Sequence, residues 1–218
     1  MIKYFIFLSA IAIIDKFLTI KSARWFSLHA IINLIISILS FNSVVKCLKD
    51  PVNLNLVNNS QNYDILSIMN GWPSALVLTL HIYHSIFFKI TVDDFMHHLI
   101  FVPFSLANLP NNIKNICAFF VCGFPGMLTY IALTLKKLHK ISCLTEKKIA
   151  LFQNLFIRAP GLLFYSFSVF YSYIYAKKSS VTFPMICLIC FLSTFNGLYY
   201  LQQIIGSYYL KINQTKLK

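Results

Sequence analysis

Four of the six histidines in this chain fall within one stretch, Leu80 to Pro103, reading LHIYHSIFFKITVDDFMHHLIFVP. The same stretch holds Asp93 and Asp94, two of only six acidic residues. His81 and His84 are three apart and share a helix face. His97 and His98 are adjacent, so on a helix their side chains diverge by about 100°. Asp93 stands four residues before His97, and Asp94 four before His98. A carboxylate at that spacing orients an imidazole or holds its proton, the arrangement that serves a general base or an activated nucleophile.

Three chemistries fit such a cluster. One is acyl transfer, with His97 or His98 as base or acyl-accepting nucleophile and Asp93 or Asp94 as orienter. A second is a His-liganded metal centre oxidising a lipid. Membrane desaturases and hydroxylases use His boxes of similar spacing but more histidines than the six here, so no metal ligand set is assigned. The third is a polar lining of a lipid-binding cavity without turnover, in which the imidazoles tie helices together and receive a ligand. No P-loop, dinucleotide fingerprint, nucleophile elbow or EF-hand loop occurs.

The elements that must position these residues are membrane spans. The chain is 58% hydrophobic and 11% charged, with a mean hydropathy of +0.70, whereas soluble domains carry roughly a quarter charged residues. Ionisable side chains at membrane depth are costly, so a cluster of them marks a functional site by default. The net charge of +13 resides mostly in short gaps between apolar segments. Headgroup contact and cytoplasmic anchoring account for it there, and nucleic acid is not an expected partner. The cysteines lie mostly inside apolar segments, Cys187 and Cys190 included, and read as packing residues.

About seven spans are expected. The first covers residues 4–20 and is interrupted late by Asp15 and Lys16. The second runs from Trp25 to about Val45 and puts His29 and Asn33 on one face. The third runs from Trp72 to about Lys89, the fourth from Phe95 to Pro110, and the fifth from Ile116 to Leu135. Gly123-Phe124-Pro125-Gly126 predicts a kink or break in the fifth. A basic loop, Lys136 to Lys148, precedes the sixth span, about Ile149 to Ala176. Arg158 lies inside the sixth, where it either snorkels to the basic loop or takes a buried partner; together with Asp15 or Asp94 it also leaves an ion pathway open. The seventh runs from Val181 to Leu210. The chain divides into an anchor (1–20), a membrane domain (21–210) and a basic tail (211–218).

Alternate gaps carry six against eleven Lys and Arg. The richer set includes the 136–148 loop and the tail and is expected in the cytosol. That places the N-terminus in the lumen together with the 46–71 loop, where Asn58-Asn59-Ser60 forms a glycosylation acceptor.

Arg24-Trp25-Phe26-x-x-His29, Trp72-Pro73, Leu80-His81-x-Tyr83-His84 and Asp94-Phe95-x-His97-His98, followed by the interrupted fifth span, resemble the TLC domain family. Ceramide synthases and translocon-associated membrane proteins belong to it. The resemblance implies an all-α barrel of six helices around a lipid-accessible cavity, with the first span outside it. By the same resemblance His97 and His98 match the pair used in acyl transfer from coenzyme A to a long-chain amine. The family's following His-Asp-x-x-Asp element is absent, since Val121 to Met127 contain neither residue. The chain therefore reads as a polytopic endomembrane protein, resident in the endoplasmic reticulum or a related membrane. It is expected to bind, sense or redistribute a lipid or long-chain acyl group in a cavity lined by His29, His81, Tyr83, His84 and Arg158. The alternative is an N-acyltransferase. No cofactor is implied, acyl-coenzyme A enters only as a substrate, and a homodimer stays open.

Overall fold

The computed structural model describes residues 2–52, 71–89, 109–175 and 181–216. They are helical, with no strand among them. In chain order the helices are α1 (Ile2–Phe17), α2 (Arg24–Lys49), α3 (Trp72–Phe87), α4 (Asn111–Lys137), α5 (Cys143–Tyr175) and α6 (Phe183–Lys216). A single 3-10 turn, Lys21–Ala23, leads into α2.

Among the described residues, four helices are long and apolar enough to cross a membrane: α4, α5, α6, and α2 counted with its leading turn from Lys21. At 1.5 Å per residue, the 34 residues of α6 reach about 51 Å, well beyond a hydrocarbon core of ~30 Å. The 16 residues of α1 and of α3 reach only about 24 Å. The fourth expected span falls outside the described residues.

The helices bury polar side chains among apolar ones and expose large hydrophobics outward. On α2 the inward stripe is Ser27, His29, Asn33, Ser37, Ser40 and Ser43, while Ile38 is 66% exposed and Phe41 58%. Lipid is as apolar as leucine, so burying large side chains gives little drive there. Small and hydroxyl residues instead allow close helix approach and interhelical hydrogen bonds. Asn115 Nδ2 on α4 donates to Ser43 Oγ at 3.2 Å. Gly126 lies so close to Asn33 that an added Cβ would sit 2.7 Å from the amide nitrogen. One apolar cluster joins α4, α5 and α6 through Ile116, Phe120, Leu162, Tyr165 and Ile186. Another joins α1, α2 and α3 through Ile11, Leu28, Ile32, Leu76 and Leu80.

The helices run alternately between two ends. At the Arg24 end, Asp15 of α1 and Tyr83 of α3 meet each other and Arg24. There, too, Lys136 at the close of α4 bonds Glu146 at the opening of α5, at 3.2 Å. At the Lys49 end, Phe7 packs on Trp72, and Ser172 donates to the Val52 carbonyl at 2.6 Å.

Three expected boundaries shift. The fifth span begins at Asn111 rather than Ile116, because Pro110 is extended and supplies the carbonyl that starts the helix. The basic loop shrinks to residues 138–142. His139 (φ 56°) and the Lys140 N–H bond to the Leu135 carbonyl close α4 as a left-handed cap, and Ser142 caps α5 by accepting from the Thr145 N–H. The basic tail is helical as far as Lys216.

The kink or break expected at Pro125 takes the form of a π-turn, Phe119–Gly123, inside a continuous α4. A second π-turn, Asn154–Arg158, precedes Pro160 in α5. Proline cannot donate to the carbonyl four residues back, and its ring pushes that carbonyl away. Widening the preceding turn absorbs the mismatch without ending the helix.

Candidate functional site

The two π-turns face each other, and the site is built where they meet. The carbonyl that Pro125 cannot reach is that of Val121. Arg158 Nη2 donates to it at 2.6 Å. The close approach depends on Gly161, one turn below Arg158: a Cβ there would sit 2.0 Å from the Phe120 ring. The guanidinium lies over the Tyr200 ring, 5.6 Å from its centroid.

In front of Arg158 is a cavity of about 150 Å³. Its wall takes His29 and Asn33 from α2, His81 and His84 from α3, Tyr130 from α4, and Asn196 and Tyr200 from α6. The described ion pairs are Arg24–Asp15, Lys136–Glu146 and Lys147–Glu146. Among the described residues, then, Arg158 faces no carboxylate. Its Nε and the Asn33 side-chain oxygen are both buried and have no hydrogen-bond partner among those residues.

The imidazoles are held in sequence. His29 Nδ1 lies 2.8 Å from the Trp25 carbonyl, which fixes a proton on that nitrogen. His29 Nε2 lies 3.0 Å from His84 Nδ1. In the neutral pair His84 therefore donates to His29, and its basic nitrogen is Nε2. His81 Nδ1 lies 2.6 Å from the Val77 carbonyl, so its basic nitrogen is Nε2 as well. The rings stack as a block: Trp25 on His29 at 4.8 Å, His29 on Tyr130 at 4.6 Å, and His81 beside His84 at 5.3 Å between centroids. Such packing locks the rotamers that a binding or reacting imidazole needs.

Tyr83 is placed elsewhere. One residue on a helix turns the side chain by about 100°, so Tyr83 faces α1 and donates to Asp15 Oδ2 at 2.6 Å. Asp15 is 4% exposed and takes a two-pronged contact from Arg24, with Nε on Oδ1 at 2.7 Å and Nη2 on Oδ2. Thr19 adds its hydroxyl. Arg24, and not Arg158, is thus the partner of Asp15.

The structure brings His29, His81, His84 and Arg158 together on one cavity and leaves Tyr83 out of it. His97, His98, Asp93, Asp94 and Asn58 lie outside the described residues. Among the described residues, no group of three or more His, Cys, Asp or Glu is arranged to hold a metal ion. Sequence reasoning overlooked Tyr130 and Tyr200. A signal was present: Trp25, His29 and Asn33 recur at intervals of four, as do Cys122, Gly126 and Tyr130, and as do Asn196 and Tyr200. That spacing keeps each set on a single helix face. The chain matches no family model, no curated protein and no solved structure.

Proposed function

We propose that this protein is a multi-pass membrane protein that binds the polar end of a lipid in the His-lined cavity, to sense or redistribute that lipid. The observation that carries the reading is the convergence of His29, His81, His84 and Arg158 on one cavity inside apolar helices. Polar groups at that depth are costly unless they serve a ligand or a partner. At about 150 Å³ the space suits an end group about the size of benzene rather than a whole lipid. The acyl chain would lie along the apolar helix faces. The family resemblance supports lipid as the ligand class, and with it a barrel of six spans plus α1. The parity of the described ends agrees with seven spans, since α3 closes at the Arg24 end and α4 opens at the Lys49 end. The surplus of Lys and Arg at the Arg24 end supports a cytosolic placement for it, with the N-terminus lumenal. An endoplasmic-reticulum location rests on the resemblance alone.

The test is photocrosslinking of the purified protein with a diazirine-bearing fatty acid, read by peptide mapping. Labels are expected in the segments around His29, His84 and Tyr130, and are expected to fall several-fold in His84→Ala. Labels confined to the outer face of α6, at Phe191 and Phe195, would sink the cavity reading.

One observation favours turnover as a second reading. The chain from the Trp25 carbonyl through His29 to His84 orients the His84 ring and makes Nε2 its basic nitrogen. It would accept the proton of an amine attacking an acyl thioester. Incubation with oleoyl-coenzyme A and a long-chain base checks this: amide that forms with wild type and not with His84→Ala, His97→Ala or His98→Ala establishes the transferase.

A further inference from the structure

We infer that the end group received by the cavity is an oxyanion, a carboxylate or a phosphate monoester, with Arg158 as its counter-charge. The inference rests on the lipid-binding reading and names its ligand class. Arg158 sits midway along α5, the 33-residue segment Cys143–Tyr175, too far from either end for its charge to reach water easily. A guanidinium cannot be neutralised by losing its proton. At such depth it needs a counter-ion or a full set of acceptors. Among the described residues it has one acceptor, the Val121 carbonyl, and one ring face, that of Tyr200. Nε is buried without an acceptor among the described residues, and no carboxylate among them lines the cavity.

The second orphan lies in the same wall. Asn33 is 2% exposed, and its side-chain oxygen has no partner among the described residues. Its amide can present either oxygen or nitrogen to a ligand. An oxyanion held by Arg158 would accept from the Asn33 amide when that group presents its nitrogen. The remaining P–OH of a phosphate monoester, or a hydroxyl beside the oxyanion, would donate to the Asn33 oxygen when it presents that instead. A neutral ester offers weaker acceptors and leaves the cation uncompensated. A cationic end group would meet Arg158 with like charge.

The contrast with Arg24 supports the assignment. Where this chain keeps an arginine for structure, it supplies Asp15 in bidentate geometry and Tyr83 beside it. Among the described residues it supplies nothing comparable to Arg158.

The experiment is displacement of radiolabelled oleate from the full-length protein in neutral detergent. The competitors are oleate, methyl oleate, oleoyl lysophosphatidate, monooleoylglycerol and inorganic phosphate. Oleate or the lysophosphatidate is expected to compete at least about tenfold better than its neutral counterpart, as a charge-assisted hydrogen bond implies. Arg158→Gln is expected to bring that ratio close to one while methyl oleate binds as before. Should Arg158→Gln run as an aggregate, Arg158→Lys replaces it. That variant keeps the charge but lacks Nε–H, so the ratio should fall only several-fold. Equal competition by charged and neutral forms in wild type overturns the inference, as does a ratio that neither variant changes. The inference and the lipid reading both fail when no amphiphile binds. Displacement by millimolar phosphate as effective as that by lysophosphatidate supports the oxyanion site and overturns the lipid as its source.

Discussion

Arg24 and Arg158 are the only two arginines of this chain, and each sits against a buried polar group. Their surroundings are opposite. Arg24 lies at a helix start with its side chain 48% exposed, and it grips a carboxylate that is 1% exposed. Asp15 receives Arg24, the Tyr83 hydroxyl and Thr19, so that three helical segments close around one charge. The planar fork of arginine fits this bidentate contact, which lysine cannot copy. Arg158 lies mid-helix, where its visible protein partners are a carbonyl released by proline and an aromatic ring. The first arrangement is complete and reads as a clamp between α1 and the helices α2 and α3. The second is incomplete among the described residues, which is why a receptor role is proposed for it.

Four substitutions probe that difference by thermal and denaturant unfolding in mixed micelles. Asp15→Ala should cost most. It strands a buried contact, and although Arg24 can rehydrate through its exposed side, about 3 kcal/mol is expected. A cycle with Arg24→Gln should then be strongly non-additive; additive losses would break the clamp reading. Gly161→Ala comes next. Its methyl group would have to displace the Phe120 ring, an overpacking cost of about 2 kcal/mol. It should also loosen oleate binding, because it separates the two π-turns that present Arg158. Tyr83→Phe should cost about 1.5 kcal/mol, the low end for a hydrogen bond to a charged acceptor, because Asp15 keeps its other donors. It should leave lipid binding untouched; a binding loss of more than about threefold would return Tyr83 to the cavity. Arg158→Gln should change stability least, by less than about 1 kcal/mol in either direction. The lost bond to the Val121 carbonyl and the relief of a buried unpaired cation oppose each other. A large loss there would make Arg158 a second clamp.

Much of this arrangement was legible beforehand. Hydropathy located α2, α4, α5 and α6, since a bilayer demands long apolar helices whatever their packing. Pro125 and Pro160 marked where α4 and α5 depart from regular geometry. Both departures are π-turns inside continuous helices, and the carbonyl freed by Pro125 receives Arg158 from α5, a contact of which hydropathy carries no record. His29, His81 and His84 announced themselves as rare polar groups in apolar sequence. Tyr83 was grouped with them by proximity in the chain, although one residue of helix is enough to turn it to another neighbour.

The sequence by itself determined that the chain is helical, that its segments are long and apolar enough for a membrane, and that His29, His81, His84 and Arg158 stand out as polar groups in apolar helices. Those properties follow from composition and from the 3.6-residue period, which act within each segment. The tertiary structure alone decided which polar group met which. Asp15 went to Arg24 and not to Arg158, and two π-turns far apart in the chain came within hydrogen-bond reach. Such pairings depend on helix crossing and rotation, which the packing of serines and glycines between helices controls and no single segment encodes.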